Sequence, residues 1–156
     1  MKRLKILKTN ITELTVDKLS NILINESGKT VAVCNANSLV RSYKDHELQD
    51  ILNNFDICTP DGFPVAMASK ILYRNNQKRV DGFKIFNNTL SKSENTGVTH
   101  YLFGNTEEVV TKIIQKYKTN FNVNMFPSFF EPNFISRTYM LSRVILTTQT
   151  WYLSHL

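Results

Sequence analysis

Short β-branched runs alternate with stretches of helical period along this chain, and that alternation constrains its fold more than any other feature. Val16, Leu19, Ile22 and Leu23 mark one face of a helix after Thr15, and "TVAVCNA" (30–36) then reads as a buried strand. Leu48, Ile51, Leu52 and Phe55 recur at i, i+3, i+4 and i+7, predicting a second helix that Asp45 caps. "FDICTPD" is the next strand and turn, and Val65, Met67, Ala68, Ile71 and Leu72 suit a helix starting just past Pro64. "THYLFG" is another strand. It leads into Asn105-Thr106-Glu107-Glu108, a capping-box-like start with Asn105 at the cap and Glu108 three residues on. The following helix carries Val109, Val110, Ile113, Ile114 and Tyr117, and "FNVNMF" (121–126) is the next strand. Strand–helix alternation of this kind predicts an α/β fold: a mostly parallel, Rossmann-like sheet with helices on both faces.

In such sheets ligands bind beyond the carboxyl ends of the strands. Three strand ends are polar: Asn35 to Asn37, Pro60 to Gly62, and Gly104 to Asn105. An amide at Asn35 either binds a sugar hydroxyl or caps the next helix. Asp61 either caps the helix beginning "FPVAMA" or takes a proton from an attacking hydroxyl as a general base. Arg79, just before the Asp81-Gly82 turn, is either a surface charge or a fork of donors for a diphosphate. The chain carries no G-x-G-x-x-G, no Walker lysine motif, no HExxH, no paired cysteine–histidine spacing and no Asp-x-Asp pair. His46, His100 and His155 are isolated and read as structural. No cofactor is expected.

The formal charge of +6 favours an anionic contact: nucleic acid, an acidic membrane surface or a phosphorylated substrate. The lysines are scattered and not interleaved with aromatic residues, so a nucleic-acid partner is not expected. Cys34 and Cys58 lie in apolar strand-like stretches and read as reduced core residues. The longest mostly apolar run, Phe63 to Ala68, is far too short to span a bilayer, and the start "MKRLKILKTN" has a basic flank with no apolar segment after it, so no signal peptide is expected. A cytoplasmic location is therefore expected.

The order "VCNANSLV", "DHELQDILNNFDICTPDGFPVAMASKIL", "KRVDGFKIF", "THYLFGNTEEVVTKIIQKYKTNF" and "FFEPNF" resembles the WecG/TagA/CpsF glycosyltransferases, glycosyltransferase family 26. The resemblance runs from about residue 5 to about residue 134. It implies an inverting transferase that moves an N-acetylhexosamine, typically N-acetylmannosamine, from its UDP-sugar to N-acetylglucosamine on an undecaprenyl diphosphate. Such enzymes serve wall teichoic acid, enterobacterial common antigen, capsule and exopolysaccharide synthesis. They work at the inner face of the cell membrane. By resemblance, Asp61 is the catalytic base, no metal is needed, and Arg79 binds the substrate or its phosphates. Asn35 then contacts the donor sugar, and Gly104 lies beside the nucleotide. Gly62 and Gly82 let the backbone turn tightly near the ligand. Homo-oligomerisation is left open.

The chain also departs from the pattern. The family's motif threonine falls on Val33, and Asn37 stands where acidic or histidine residues are common. Residues 1–134 hold thirteen lysines and every Asp, Glu and Gly of the chain, whereas 135–156 hold none of these. The expectation is therefore a glycosyltransferase domain over 1–134, incomplete at its C-terminus, with 135–156 an atypical tail outside the family fold. The alternative is an inactive truncated remnant that binds at most.

Overall fold

The computed structural model describes residues 1–103, 106–128, 145–147 and 150–152. The chain opens with a hairpin, β1 (Arg3–Ile6) and β2 (Thr9–Thr12), followed by α1 (Val16–Asn25), β3 (Thr30–Cys34), α2 (Ala36–Lys44) and α3 (His46–Asn54). Then come β4 (Ile57–Pro60), α4 (Phe63–Tyr73), α5 (Gly82–Ser93), β5 (Thr99–Phe103), α6 (Glu107–Asn120) and β6 (Asn124–Ser128). Two further strands, β7 (Ile145–Thr147) and β8 (Thr150–Tyr152), lie between β3 and β5 in the main sheet. The rest of the 135–156 segment lies outside the described residues.

The main sheet has the order β4-β3-β7-β8-β5-β6. Pairs β3–β4, β5–β6 and β5–β8 are parallel, while β3–β7 and β7–β8 are antiparallel. The mostly parallel α/β reading therefore holds. Strand parity divides the core between two faces. Val31, Val33 and Ile57 point to one side, where α1, α5 and α6 bring Leu19, Ile85, Phe86, Leu90, Val110, Ile114 and Tyr117. Ala32, Cys34 and Cys58 point to the other, against Leu39 of α2, Leu48 and Leu52 of α3, Val65 of α4, and Ile6 and Ile11 of the hairpin. Cys34 and Cys58 are both buried free thiols. The Cys34 thiol is held well above its ordinary value, first by its contact with Cys58, then by burial and by the charge of Asp61.

Side-chain caps start most of the helices. Thr15, Asn35, Asp45, Asp81 and Thr106 each accept a hydrogen bond from the backbone N–H three residues on. Three details correct the sequence reading. The α6 cap is Thr106, accepting from Val109 N–H at 3.4 Å, so the helix starts one residue later than an Asn105 cap requires. Strand β6 begins at Asn124, because Phe121 N–H still closes the last turn of α6 on Tyr117 O. Helix α5 and the β1–β2 hairpin were not anticipated, and α2 only through the capping reading of Asn35.

His100 is buried on β5, and its Nε2 lies 2.7 Å from Ser93 Oγ. Burial pushes its pKa down from 6.5 to about 4. Between those two values the unfolded chain binds a proton that the folded chain refuses. The stabilisation is thus complete above 6.5 and falls away as pH drops toward 4, to a full extent of roughly 3 kcal/mol. Asp56, held low first by hydrogen bonds from Thr30, loses its contribution in a lower window, as pH falls below 3.8. Urea unfolding at a series of pH values should show stability falling between neutrality and pH 4.5, with a shallower slope in His100→Gln. An equal slope in the variant would remove His100 as the cause.

Candidate functional site

The site is set by one strand pair. β3 and β4 run parallel with Cys34 opposite Pro60, so Asn35 and Asp61 leave adjacent strands at the same end. Asp61 N–H donates to Cys34 O and to Thr59 O, both at 3.0 Å, which ties the turn to both strands. The chain then turns at Gly62, where φ is +83° and ψ is 155°, and enters α4. That backbone region is essentially closed to residues with a Cβ.

A second segment closes on the first. Val80 is fully buried and its N–H donates to Pro60 O at 3.0 Å, which lays residues 79–81 against the end of β4. Gln77, also buried, anchors the approach: its Oε1 accepts from Leu14 N–H at 3.1 Å and its Nε2 donates to Leu14 O at 2.8 Å. Arg79 Nε consequently sits 3.6 Å from Asp61 Oδ1 and 3.4 Å from Asp81 Oδ2. Both aspartates are almost wholly buried, while 54% of the Arg79 side chain is exposed. One guanidinium therefore serves two buried carboxylates and still faces solvent. The separations exceed the ~2.7–2.9 Å of a tight charge-assisted hydrogen bond, so the pairing is electrostatic and leaves the arginine fork able to meet a ligand. Lys84 adds a second cation 3.9 Å from Asp81. Beside Asp61, Thr59 Oγ1 is buried with no hydrogen-bond partner among the described residues.

Asn35 caps α2: its Oδ1 accepts from Ser38 N–H at 2.9 Å and from Ser38 Oγ at 3.2 Å. The cap occupies only the oxygen, so the half-exposed amide keeps an NH₂ group for a ligand. The structure thus brings together Asn35, Asp61, Gly62 and Arg79. Gly104 lies outside the described residues. Gly82 is the first residue of α5 and is not among the positive-φ glycines, so it supplies no special turn; Asp81 does, as the α5 cap. The role of Asp81 was missed, although the repeated Asp-Gly-Phe at 61–63 and 81–83 could have revealed it. An open cleft of roughly 540 Å³ runs along α5 between Val16, Asp17, Phe83, Lys84, Asn88 and Phe121. It meets the aspartate pair only through Lys84 and includes neither Asn35 nor Asp61.

An amide and a carboxylate at adjacent parallel strand ends, with an arginine over the carboxylate, can hold a polar ligand and accept a proton from it. A sequence model of the WecG/TagA/CpsF glycosyl transferase family matches residues 4–143, and the chain belongs to that family. It is similar to two proteins named N-acetylglucosaminyldiphosphoundecaprenol N-acetyl-beta-D-mannosaminyltransferase. The one from Bacillus subtilis (strain 168) is 23% identical over 114 residues, covering 72% of this chain and 44% of the relative. The one from Bacillus spizizenii (strain ATCC 23059 / NRRL B-14472 / W23) is 21% identical over 119 residues, covering 76% and 46%. The chain thus spans less than half the length of these curated relatives.

Two substitutions probe how the turn is built. Gly62→Ala meets no close neighbour, since Pro64 Cδ lies 3.7 Å from the added Cβ, so its cost is backbone strain alone. It should lower unfolding stability by ~1–3 kcal/mol, and an unchanged urea midpoint would contradict that conformation. Asn35→Ala should cost ~1 kcal/mol through the lost cap in urea unfolding, whereas Asn35→Asp, which caps as well, should lose only what its added charge beside Asp61 costs.

Proposed function

We propose that this chain carries the base and part of the donor site of an inverting glycosyltransferase. It moves N-acetylmannosamine from a UDP-sugar to N-acetylglucosamine on undecaprenyl diphosphate, in bacterial teichoic acid or related cell-surface polysaccharide synthesis. The observation that carries this reading is the pairing of Arg79 with Asp61 at the strand end beside Asn35. The acceptor hydroxyl oxygen attacks the anomeric carbon as its proton passes to an Asp61 carboxylate oxygen. The bond from the anomeric carbon to the diphosphate oxygen breaks, and UDP leaves with the electron pair. Arg79, exposed and only loosely held by its carboxylates, turns its fork to the diphosphate while Asp61 faces the acceptor. Asn35 offers its NH₂ to a donor sugar hydroxyl.

Peripheral attachment at the inner membrane face accompanies a lipid-linked acceptor. Among the described residues no helix is long and apolar enough to cross a membrane. Among them, too, no three or more His, Cys, Asp or Glu side chains gather as a metal site needs.

The roles separate in kinetics. Asp61→Asn should lower turnover by ~10²–10⁴-fold with little change in donor affinity, because a base acts in the transition state. Arg79→Ala should weaken donor binding by about tenfold to a hundredfold, the worth of a hydrogen bond to a charged group. Arg79→Lys keeps a cation near both carboxylates, and so separates loss of the fork from loss of folding. Transfer from UDP-N-acetylmannosamine to a lipid-diphosphate acceptor, measured beside donor binding by calorimetry, tests the set. Full transfer by Asp61→Asn would overturn the assignment, and donor binding with no transfer by the parent chain would favour a binding remnant.

A further inference from the structure

Helix α4, "FPVAMASKILY", has a single charged residue in eleven and is apolar nearly all round. A helix of that composition belongs in an interior. Yet only Val65, Ala66 and Ser69 are buried, on the side facing the hairpin and β4. The outer side leaves Phe63 at 69%, Ile71 at 70% and Leu72 at 61% exposure. Phe63, half-buried Met67 and Ile71 follow at i, i+4 and i+8, so the outer apolar residues form a stripe along the helix. Phe83, 60% exposed, begins α5 in the same way that Phe63 begins α4, and Arg79 joins the two aspartates that precede these phenylalanines.

The charge around this stripe is of one sign. From Gly62 to Val80 there is no Asp or Glu, and Lys70, Arg74 and Lys78 are all exposed. A second copy packed on this face through a two-fold axis would set those cations against themselves, with no Asp or Glu between Gly62 and Val80 to answer them. Nucleic acid matches the charge but gives Ile71 and Leu72 nothing to bury against. An apolar stripe flanked by cations matches an anionic bilayer: side chains enter the acyl boundary while Lys and Arg meet the head groups.

We propose that the outer face of α4, extended by Phe83, rests on an anionic lipid surface. This deepens the lipid-linked acceptor reading. Because α4 begins directly after Asp61 and Gly62, a bilayer against it sets the aspartate pair at head-group level, where a lipid-linked diphosphate projects. Binding to lipid is read without turnover, so either proposal can fail alone.

The test is co-sedimentation of the full 156-residue chain with phosphatidylcholine vesicles, with and without phosphatidylglycerol. Sedimentation velocity of the same samples without lipid accompanies it. The chain should bind the anionic vesicles and be released by salt. Ile71→Glu/Leu72→Glu should weaken binding by about tenfold or more, since each side chain forfeits its burial. Lys70→Gln/Lys78→Gln should weaken binding to anionic vesicles by roughly fivefold per charge. This pair replaces no apolar residue and decides the matter if the first pair misfolds by circular dichroism. No binding to anionic vesicles, or binding that neither folded variant weakens, would overturn the proposal. So would a dimer that Ile71→Glu/Leu72→Glu dissociates, which would assign the face to a second copy.

Discussion

The parallel pairing of β3 with β4 is the constraint on which the site rests. It places Cys34 opposite Pro60, and the residues that follow them are the amide and the carboxylate of the candidate site. A slip of one residue would move every side chain of β4 to the other face. Ile57 would then leave the cluster with Val31 and Val33, and Cys58 would leave Cys34. Core packing on two faces therefore fixes the register, and the register fixes the chemistry. The Asp61 N–H bond to Cys34 O carries that order one residue past the strands, into the turn.

Arg79 is held less directly. Its own side chain is half in solvent, and what positions it is Val80, buried and bonded to Pro60 O, together with Gln77 anchored on Leu14. Two buried carboxylates near one another would repel, and removing their charge from water is costly. The guanidinium offsets both terms at once. Asp81 also caps α5 with its other oxygen, accepting from Lys84 N–H at 3.0 Å, so its charge is satisfied on both sides. The site thus contains a fixed acid, Asp81, and a mobile-sided cation that a phosphate can compete for.

Much of this fold was legible because burial writes a period into sequence. β3, α3 and α6 announce themselves through β-branched runs or i, i+3, i+4 spacing, and Asp45 and Pro64 mark starts as their chemistry requires. The misses have physical reasons. Helix α2 buries only Leu39 among its large side chains, with Val40 and Tyr43 exposed, so it shows no apolar stripe. The hairpin turns at Leu7 with φ of 54° and no glycine or asparagine, a conformation that no turn rule assigns to leucine. Helix α5 was hidden behind an Asp-Gly that read as a turn. At the site, Asn35 and Asp61 were visible as strand-end polar residues, but the joining of Asp61 and Asp81 through Arg79 depends on chain packing that no local pattern carries.

Asn35 shows why capping and binding need not compete. A helix cap uses one acceptor oxygen, and aspartate, serine or asparagine supplies it about equally well. Only asparagine keeps a donor on the same planar group, held in orientation by the bond its oxygen makes to Ser38. The cap is therefore what fixes the direction of the donor. A carboxylate there would cap α2 as well but would add negative charge beside Asp61 and offer nothing to a hydroxyl oxygen. The choice of amide at one strand end and acid at the next divides the chemistry between them: one end keeps a donor NH₂, and the other carboxylate can only accept.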